Sequence, residues 1–468
     1  MNPRWPNYPI SRRLLLERCA NGFGALALAG LAGCQDESPL APAATAPRAK
    51  AKSVIFLFME GGPSQMDTFD PKPRLAVDNG RPCPIAAPIR VAREKILKSP
   101  FKFAKYGQCG ADVSELFPHV AQHVDQIAFV RSMVADFSDH PTANYFLSTG
   151  TPLRGRPSMG SWIAYGLGIE SQELPGYVVL SGGRDPEGGR DCLGAGFMPA
   201  KYQATILQNR EPALPFLQPY ESPEAQRRKL ALLRRLDAPP APAAPEDQQF
   251  EAMLANYELA FRMQTSLPDA LDIRSESQAI RALYGIDDEQ TRQFGTQCLQ
   301  ARKLVERGVR FVQLLPAPPA GAEKWDQHFN LQAHHSANAL RVDRPIAGLL
   351  ADLQARGLLD QTIVLWGGEF GRTPTGETSS RTQAVGRDHN RHGFTMWLAG
   401  GGVRPGLIYG ATDEYGVEAI DSPTTVHDLH ATILHLLGID HTQLTYRNAG
   451  RDYRLTDVYG HVVHDLIA

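Results

Sequence analysis

Cysteine is scarce in this 468-residue chain: there are six, scattered, and no CxxC pair among them. That excludes a disulfide scaffold and a zinc knuckle. Charge of one sign is lacking too, since 48 Lys and Arg face 50 Asp and Glu for a formal net charge of −2. Without a basic block the chain has no electrostatic footprint for nucleic acid. Long hydrophobic runs are missing: the apolar stretch from Gly22 to Leu31 falls well short of the ~20 residues a spanning helix needs. No internal repeat is visible. Collagen, coiled coil, disulfide miniprotein and polytopic membrane protein are therefore excluded. What is present, 43 % hydrophobic and 21 % charged residues, is ordinary for a packed globular protein of one large domain or two smaller ones.

The first 34 residues read as an address rather than as fold. Ser11-Arg12-Arg13-Leu14-Leu15-Leu16 resembles a twin-arginine export signal, and Leu31-Ala32-Gly33-Cys34 resembles a lipobox in which Cys34 is lipidated. The expected location is the periplasm or cell envelope, with membrane contact only through that lipid anchor. Residues 35–51 are Pro/Ala-rich and read as a flexible tether, and the folded domain is expected over 52–468. In an oxidising compartment Cys83 and Cys109 are candidates for a bridge.

Ser53–Met59 is a continuous apolar run ending at Gly61-Gly62-Pro63, typical of a central strand in a parallel sheet. Shorter runs follow at Gln126–Val130, Tyr177–Leu180, Val309–Leu315, Thr362–Trp366 and Phe394–Leu398, with helix-like segments between them such as Asp343–Arg356. Strands alternating with helices imply an α/β fold with right-handed crossovers. Asp237–Pro245 is a low-complexity break, and 246–308 reads as a helical insertion within the same domain.

In an open α/β sheet ligands bind at the carboxyl ends of the strands. Polar residues cluster there: Glu60 to Asp70 after the first strand, Trp325-Asp326-Gln327-His328 after another, Glu369-Phe370-Gly371-Arg372 after a third, and Arg387-Asp388-His389 just before Phe394. Neutral imidazole with carboxylate is a shell for a divalent metal, zinc first, with manganese, iron or calcium as alternatives.

The ordered set GGPSQMDTFDPKP (61–73), SPFKFAKYGQCG (99–110), RPSMGSWIAYGLG (156–168), WDQHFN (325–330), GGEFGRTP (367–374) and GRDHNRHGFTMWLAGGGV (386–403) resembles a secreted bacterial family, domain of unknown function 1501. That family resembles a branch of the alkaline phosphatase and sulfatase superfamily. The resemblance implies a three-layer α/β sandwich with a mainly parallel central sheet, and a metal-dependent hydrolase of phosphate or sulfate esters, on a small anionic molecule or a polysaccharide. In the first metal site it implies Asp326, His328 and His389. In the second it implies Glu60 and Glu369, with Phe370 standing where a histidine ligand belongs and Asp67 or Asp388 as substitutes. The nucleophile position falls on His140, in SDHPTANYFLSTG (138–150). No cysteine lies there, which excludes formylglycine sulfatase chemistry. His140 is then a metal ligand, a nucleophile, or the base for a Thr142 nucleophile. Arg131, Arg372 and Arg387 are candidates to grip an anionic ester bidentately, or ordinary ion-pair partners. Asp70 reads as a turn cap. The alternative from another class is a catalytically inactive binding protein for an anionic glycan or a cell-envelope partner.

Overall fold

The computed structural model describes residues 47–85, 95–171, 173–208, 213–214, 220–236, 245–321, 323–378 and 385–468. The export signal, Cys34 and most of the tether lie outside them. Lys50 and Ala51 already belong to the fold, both donating their backbone N–H to Leu436 O at 2.9 Å. Among the described residues no helix is long and apolar enough to cross a membrane.

One sheet organises the domain. Its strands in chain order are β1 (Ser53–Phe58), β2 (Ile127–Val134), β3 (Tyr177–Ser181), β4 (Thr205–Gln208), β5 (Phe311–Leu315), β6 (Thr362–Gly367), β7 (Phe394–Ala399), β8 (Ile408–Tyr409) and β9 (Thr424–Thr425). In space they run β8-β2-β7-β6-β1-β5-β3-β4, with β9 also on β2. β1 pairs in parallel with β5 and β6, while β7 is antiparallel to both β6 and β2. Every residue of β1 is buried, because helices cover both faces. Ile55 and Leu57 enter a core with the helices Pro245–Leu271 (α4), Arg292–Glu306 (α6) and Leu331–Ala355 (α7). Val54, Phe56 and Phe58 enter a second core with His140–Thr149 (α1), Met159–Leu167 (α2) and Val426–Leu436 (α8). Pro223–Leu236 (α3) and Gln278–Leu283 (α5) lie in the same part of the chain as α4, and short helical turns at Gln65–Thr68 and Pro73–Val77 follow β1. The result is the expected three-layer α/β sandwich with a mainly parallel sheet.

Three details differ from the sequence expectation. The stretch 246–308 holds α4, α5 and α6, and α6 is a core helix: Cys298, Leu299, Ala301 and Leu304 pack fully buried on the sheet. The helix expected at Asp343–Arg356 begins twelve residues earlier, at Leu331, and carries Pro345 internally. Proline removes one ladder hydrogen bond, but buried Val342, Ile346, Leu349 and Leu350 hold the helix to the core. Cys83 and Cys109 are both free thiols; Cys83 is buried among Met66, Leu75, Ile96 and Tyr415 instead.

Candidate metal centre

The direction of β7 assembles the site. Parallel strands present the residues that follow them at one sheet edge, and an antiparallel strand presents the residues that precede it at that same edge. Glu60 follows β1, His140 follows β2, Asp326 follows β5 and Glu369 follows β6, while His389 precedes β7. All five thus arrive together. β1 lies between β5 and β6, so the chain winds away from it in both directions, and the crevice at its carboxyl end is the expected ligand position.

Two glycines allow the loops to touch. Gly61, at φ 108°, lies so close to the 325–326 backbone that a Cβ would come within 2.5 Å of Asp326 N. At Gly386 a Cβ would stand 2.1 Å from the His328 carbonyl carbon. That contact, with Arg387 N–H donating to Gln327 O at 3.0 Å, sets the Asp388-His389 loop beside His328. A short antiparallel bridge pairs His389 with Arg372.

At the centre is Asp326 Oδ1. His140 Nε2 lies 3.2 Å from it, His328 Nε2 3.1 Å and His389 Nε2 3.2 Å, and His328 Nε2 and His389 Nε2 are 2.9 Å apart. Ligand atoms held ~2.0–2.1 Å from a tetrahedral zinc stand about 3.3 Å from one another, so most of these spacings are those of a metal shell. Within the described residues, His140, Asp326 and His389 form one metal-capable group, and His328, Asp388 and His389 another. The tautomers fit as well. His389 Nδ1 contacts Ser138 O at 2.6 Å and so must carry the proton, leaving Nε2 its lone pair. His140 Nδ1 is bonded to Glu369 Oε1 at 2.5 Å, and its buried Nε2 faces Asp326 Oδ1 at 3.2 Å. A ring nitrogen aimed into the site and oriented through its other nitrogen by a carboxylate is the usual arrangement of a metal-binding histidine.

Burial favours the protonated Asp326 carboxyl, but the three imidazoles and Arg372 outweigh it and hold Asp326 ionised far below the carboxylate range. Burial likewise disfavours the His140 imidazolium, yet the carboxylates of Asp326 and Glu369 lift its pKa to about 9, so with no cation bound Nε2 carries a proton toward Asp326 that a metal ion would replace. Phe370 packs against His140 and His389 at ring-centroid distances of 4.8 and 4.6 Å, an apolar wall where a further ligand was sought.

The remaining candidates are held by contacts of their own, two of them directly against this cluster. Glu369 is fully buried and spends both oxygens on Gly61 N–H at 3.0 and 3.1 Å, besides His140; it orients a ligand rather than binding metal. Glu60 accepts from Asn144 Nδ2 at 3.0 Å and from Glu187 N–H at 2.6 Å, and it is ion-paired to Lys324. Burial raises its pKa against the pull of Lys324. An ammonium group thus sits on the carboxylate that was expected to bind the second metal.

Thr142 is at the start of α1, where its backbone N–H donates to Asp139 Oδ1 at 3.0 Å and its hydroxyl also engages Asp139. It serves the helix cap. Arg372 is fully buried, donating to the carbonyls of Gly61, Gly62 and Arg387 and, at 2.6 Å, to Asp326 Oδ1. Arg387 is equally buried and ion-paired to Asp67 at 2.7 Å. Arg131 lies 3.8 Å from both Asp70 and Asp112. Arg372 and Arg387 spend their donors on the loops they brace, whereas Arg131 Nε and Nη2 are buried without a hydrogen bond. Asp70 bonds Thr412 at 2.6 Å and Lys72 at 3.0 Å. Lys324, Asn144 and the Ser138 carbonyl were not singled out from sequence. Asn144 follows His140 by one helical turn and so shares its face, the one signal that pointed to it.

A family model described as protein of unknown function (DUF1501) matches residues 51–467. No curated protein matches the chain. In structure the chain is similar to a sulfatase from Pseudoalteromonas sp., at 14 % identity over 93 % of this chain and 79 % of that one, with a TM-score of 0.34. It is similar to the lipoteichoic acid synthase LtaP from Listeria monocytogenes, at 13 % identity over 84 % and 74 %, TM-score 0.37. It is similar also to an alkaline phosphatase from the Antarctic bacterium TAB5, at 11 % identity over 75 % and 92 %, TM-score 0.31.

Proposed function

The chain belongs to the DUF1501 family, and we propose that it is a single-metal hydrolase of phosphate or sulfate esters. The observation that carries this is the convergence of three imidazoles on Asp326 Oδ1, with the Nε2 atoms of His140 and His389 aimed inward by Glu369 and Ser138. Three nitrogens and one carboxylate suit zinc, manganese or iron, whereas calcium asks for six to eight oxygens. Such an ion supplies Lewis acidity, polarising an ester oxygen and making water more acidic.

The protein's own part is to keep that shell rigid. Arg372 holds Asp326 from beneath, Phe370 walls off the His140–His389 side, and Asp388 stands 3.9 Å from His328 at the partly exposed rim. A carboxylate there is placed to take the proton of an attacking water. With Thr142 in the helix cap, attack by water directly, without a covalent intermediate, is the reaction these residues favour. The ester is anionic, small or borne on a polysaccharide, and the metal supplies the charge that attracts it. The twin-arginine-like Ser11–Leu16 and the lipobox ending at Cys34 support export to the cell envelope.

A second reading has one observation in its favour: Lys324 neutralises Glu60, which suits a protein that has given up two-metal chemistry and only binds an anionic ligand. Elemental analysis of the mature domain after reconstitution, alongside turnover of an aryl phosphate and an aryl sulfate, separates the two. About one transition metal per chain with turnover of either ester is expected. Metal without turnover supports the binding protein, and no metal at all overturns both the centre and the hydrolase.

A further inference from the structure

The crevice at the carboxyl end of β1 holds more than the metal centre. Phe58, the last residue of β1, and Leu315, the last of β5, open into a cavity of about 20 Å³ under α7, closed at the side by Lys324 and Trp325. Every residue lining it is among those described. One water takes ~10–15 Å³ of such space, so the cavity admits a single small group and not a sugar ring.

Asn338 builds the site. It is 5 % exposed, and its Nδ2 donates to Glu323 O and to Lys324 O, both at 3.0 Å, which ties that loop to α7. Arg341 follows Asn338 by three residues, on the same helix face, so two cationic side chains border one small space. Lys324 has three hydrogens to give and pairs with Glu60. The partly buried Arg341 has five, and its guanidinium makes no hydrogen bond or ion pair with the described residues.

The neighbouring carboxylates are committed elsewhere. Glu60 is held by Lys324, Asn144 and the Glu187 N–H. Asp343, two residues beyond Arg341, accepts from the His119 and Val120 N–H groups at 2.9 and 2.8 Å. Lys324 and Arg341 against Glu60 leave the lining with one positive charge in excess. A guanidinium set among Leu315, Pro316 and Val342 gives up water without a partner in return. The occupant that repays this is an oxyanion, which arginine takes bidentately.

No ligand of the metal centre lines the cavity, so a group held on the metal is not the group held here. The two are still neighbours: Glu60, in the lining, accepts from Asn144 Nδ2 at 3.0 Å, and Asn144 lies one helical turn, ~5.4 Å, from His140. We propose that the Lys324–Arg341 cavity is a specificity subsite for a second oxyanion of the substrate, borne about one ring away from the scissile ester. The proposal rests on the ester-hydrolase reading above.

The test takes the metal-reconstituted mature chain and offers phenyl phosphate and phenyl sulfate, each beside its 3- and 4-carboxy derivatives. KM is read where an ester turns over, and Kd by calorimetry where it does not. At least one carboxylated ester is expected to be favoured about tenfold or more over its parent. Arg341→Gln is expected to bring that ratio near one, Arg341→Glu to push it below one, and Arg341→Lys to keep part of it, a graded pattern that lost structure would not produce. No preference in the native chain, or an equal preference in folded Arg341→Gln, overturns the subsite. A preference in Kd with no turnover of any ester upholds the subsite and overturns the hydrolase instead.

Discussion

Two carboxylates stand at the same sheet edge with opposite fates. Around Asp326 three imidazole nitrogens converge, each within 3.2 Å of Oδ1. Around Glu60 every contact is a donor from the protein itself: Lys324, Asn144 and the Glu187 N–H. Both are half of what a sequence reader takes for a metal site. The difference teaches that a ligand set is recognised by unspent lone pairs, not by residue type. A carboxylate met by an ammonium is finished; a carboxylate met by acceptor nitrogens is waiting for a cation.

The comparison breaks most sharply at Asp326. Asp326→Ala removes the oxygen shared by three histidines and frees Arg372, so metal affinity is expected to fall by more than about 100-fold, beyond the 10–100-fold cost of an outer-shell change. Equilibrium dialysis reads this, and a variant that keeps its metal removes Asp326 from the centre.

On the other side, Lys324→Met leaves Glu60 buried beside Glu369 without its counter-ion. The expected loss is about 3 kcal/mol of unfolding free energy, seen as a lower denaturation midpoint, with metal stoichiometry unchanged. Should metal content rise to two per chain, Glu60 is a ligand held in reserve and the contrast drawn above fails.

A milder probe sits between the two. Glu369→Gln keeps the shape but weakens the acceptor that orients His140, and a 10–100-fold drop in metal affinity is expected with little change in stability. Stoichiometry lost altogether would instead make Glu369 a direct ligand.

A last effect, felt only in acid, concerns a histidine outside the centre. His430 is buried and donates to Leu147 O at 2.8 Å, and burial, with His427 nearby, lowers its pKa to about 3. Above the unfolded value of ~6.5 both states are neutral there and it contributes no pH dependence. Below that value the unfolded chain takes up a proton the folded one refuses, costing about 1.4 kcal/mol per pH unit until folded His430 titrates near 3. Midpoints of urea unfolding between pH 6.5 and 4 are expected to fall more steeply for the native chain than for His430→Gln. Equal slopes would show that His430 is not the group responsible.

Much of this architecture was legible because burial on both faces leaves a plain trace. β1, β6 and β7 are buried throughout and mostly apolar, so their runs stand out, and the polar residues next to them are easy to notice. β4, only Thr205–Gln208 at the edge of the sheet, was not foreseen, since four residues of mixed character carry no period. α7 was expected only from Asp343, and its first twelve residues, Leu331 to Val342, were not foreseen. In the site, His140, His328, His389 and Asp326, singled out from sequence, come together in space, whereas Arg372, Glu60 and Thr142 are held by hydrogen bonds of their own.

The sequence by itself determined the layers, the strand edge at which function gathers, and the residue types gathered there, since periodicity and hydrophobic runs are local properties of the chain. Only the tertiary structure decided which groups meet. His140 and Asp326 are separated by 186 positions and His389 by another 63, and whether Lys324 reaches Glu60 or Arg372 reaches Asp326 depends on loop contacts at Gly61 and Gly386. Unspent lone pairs are a property of neighbours in space, and the chain's order does not contain them.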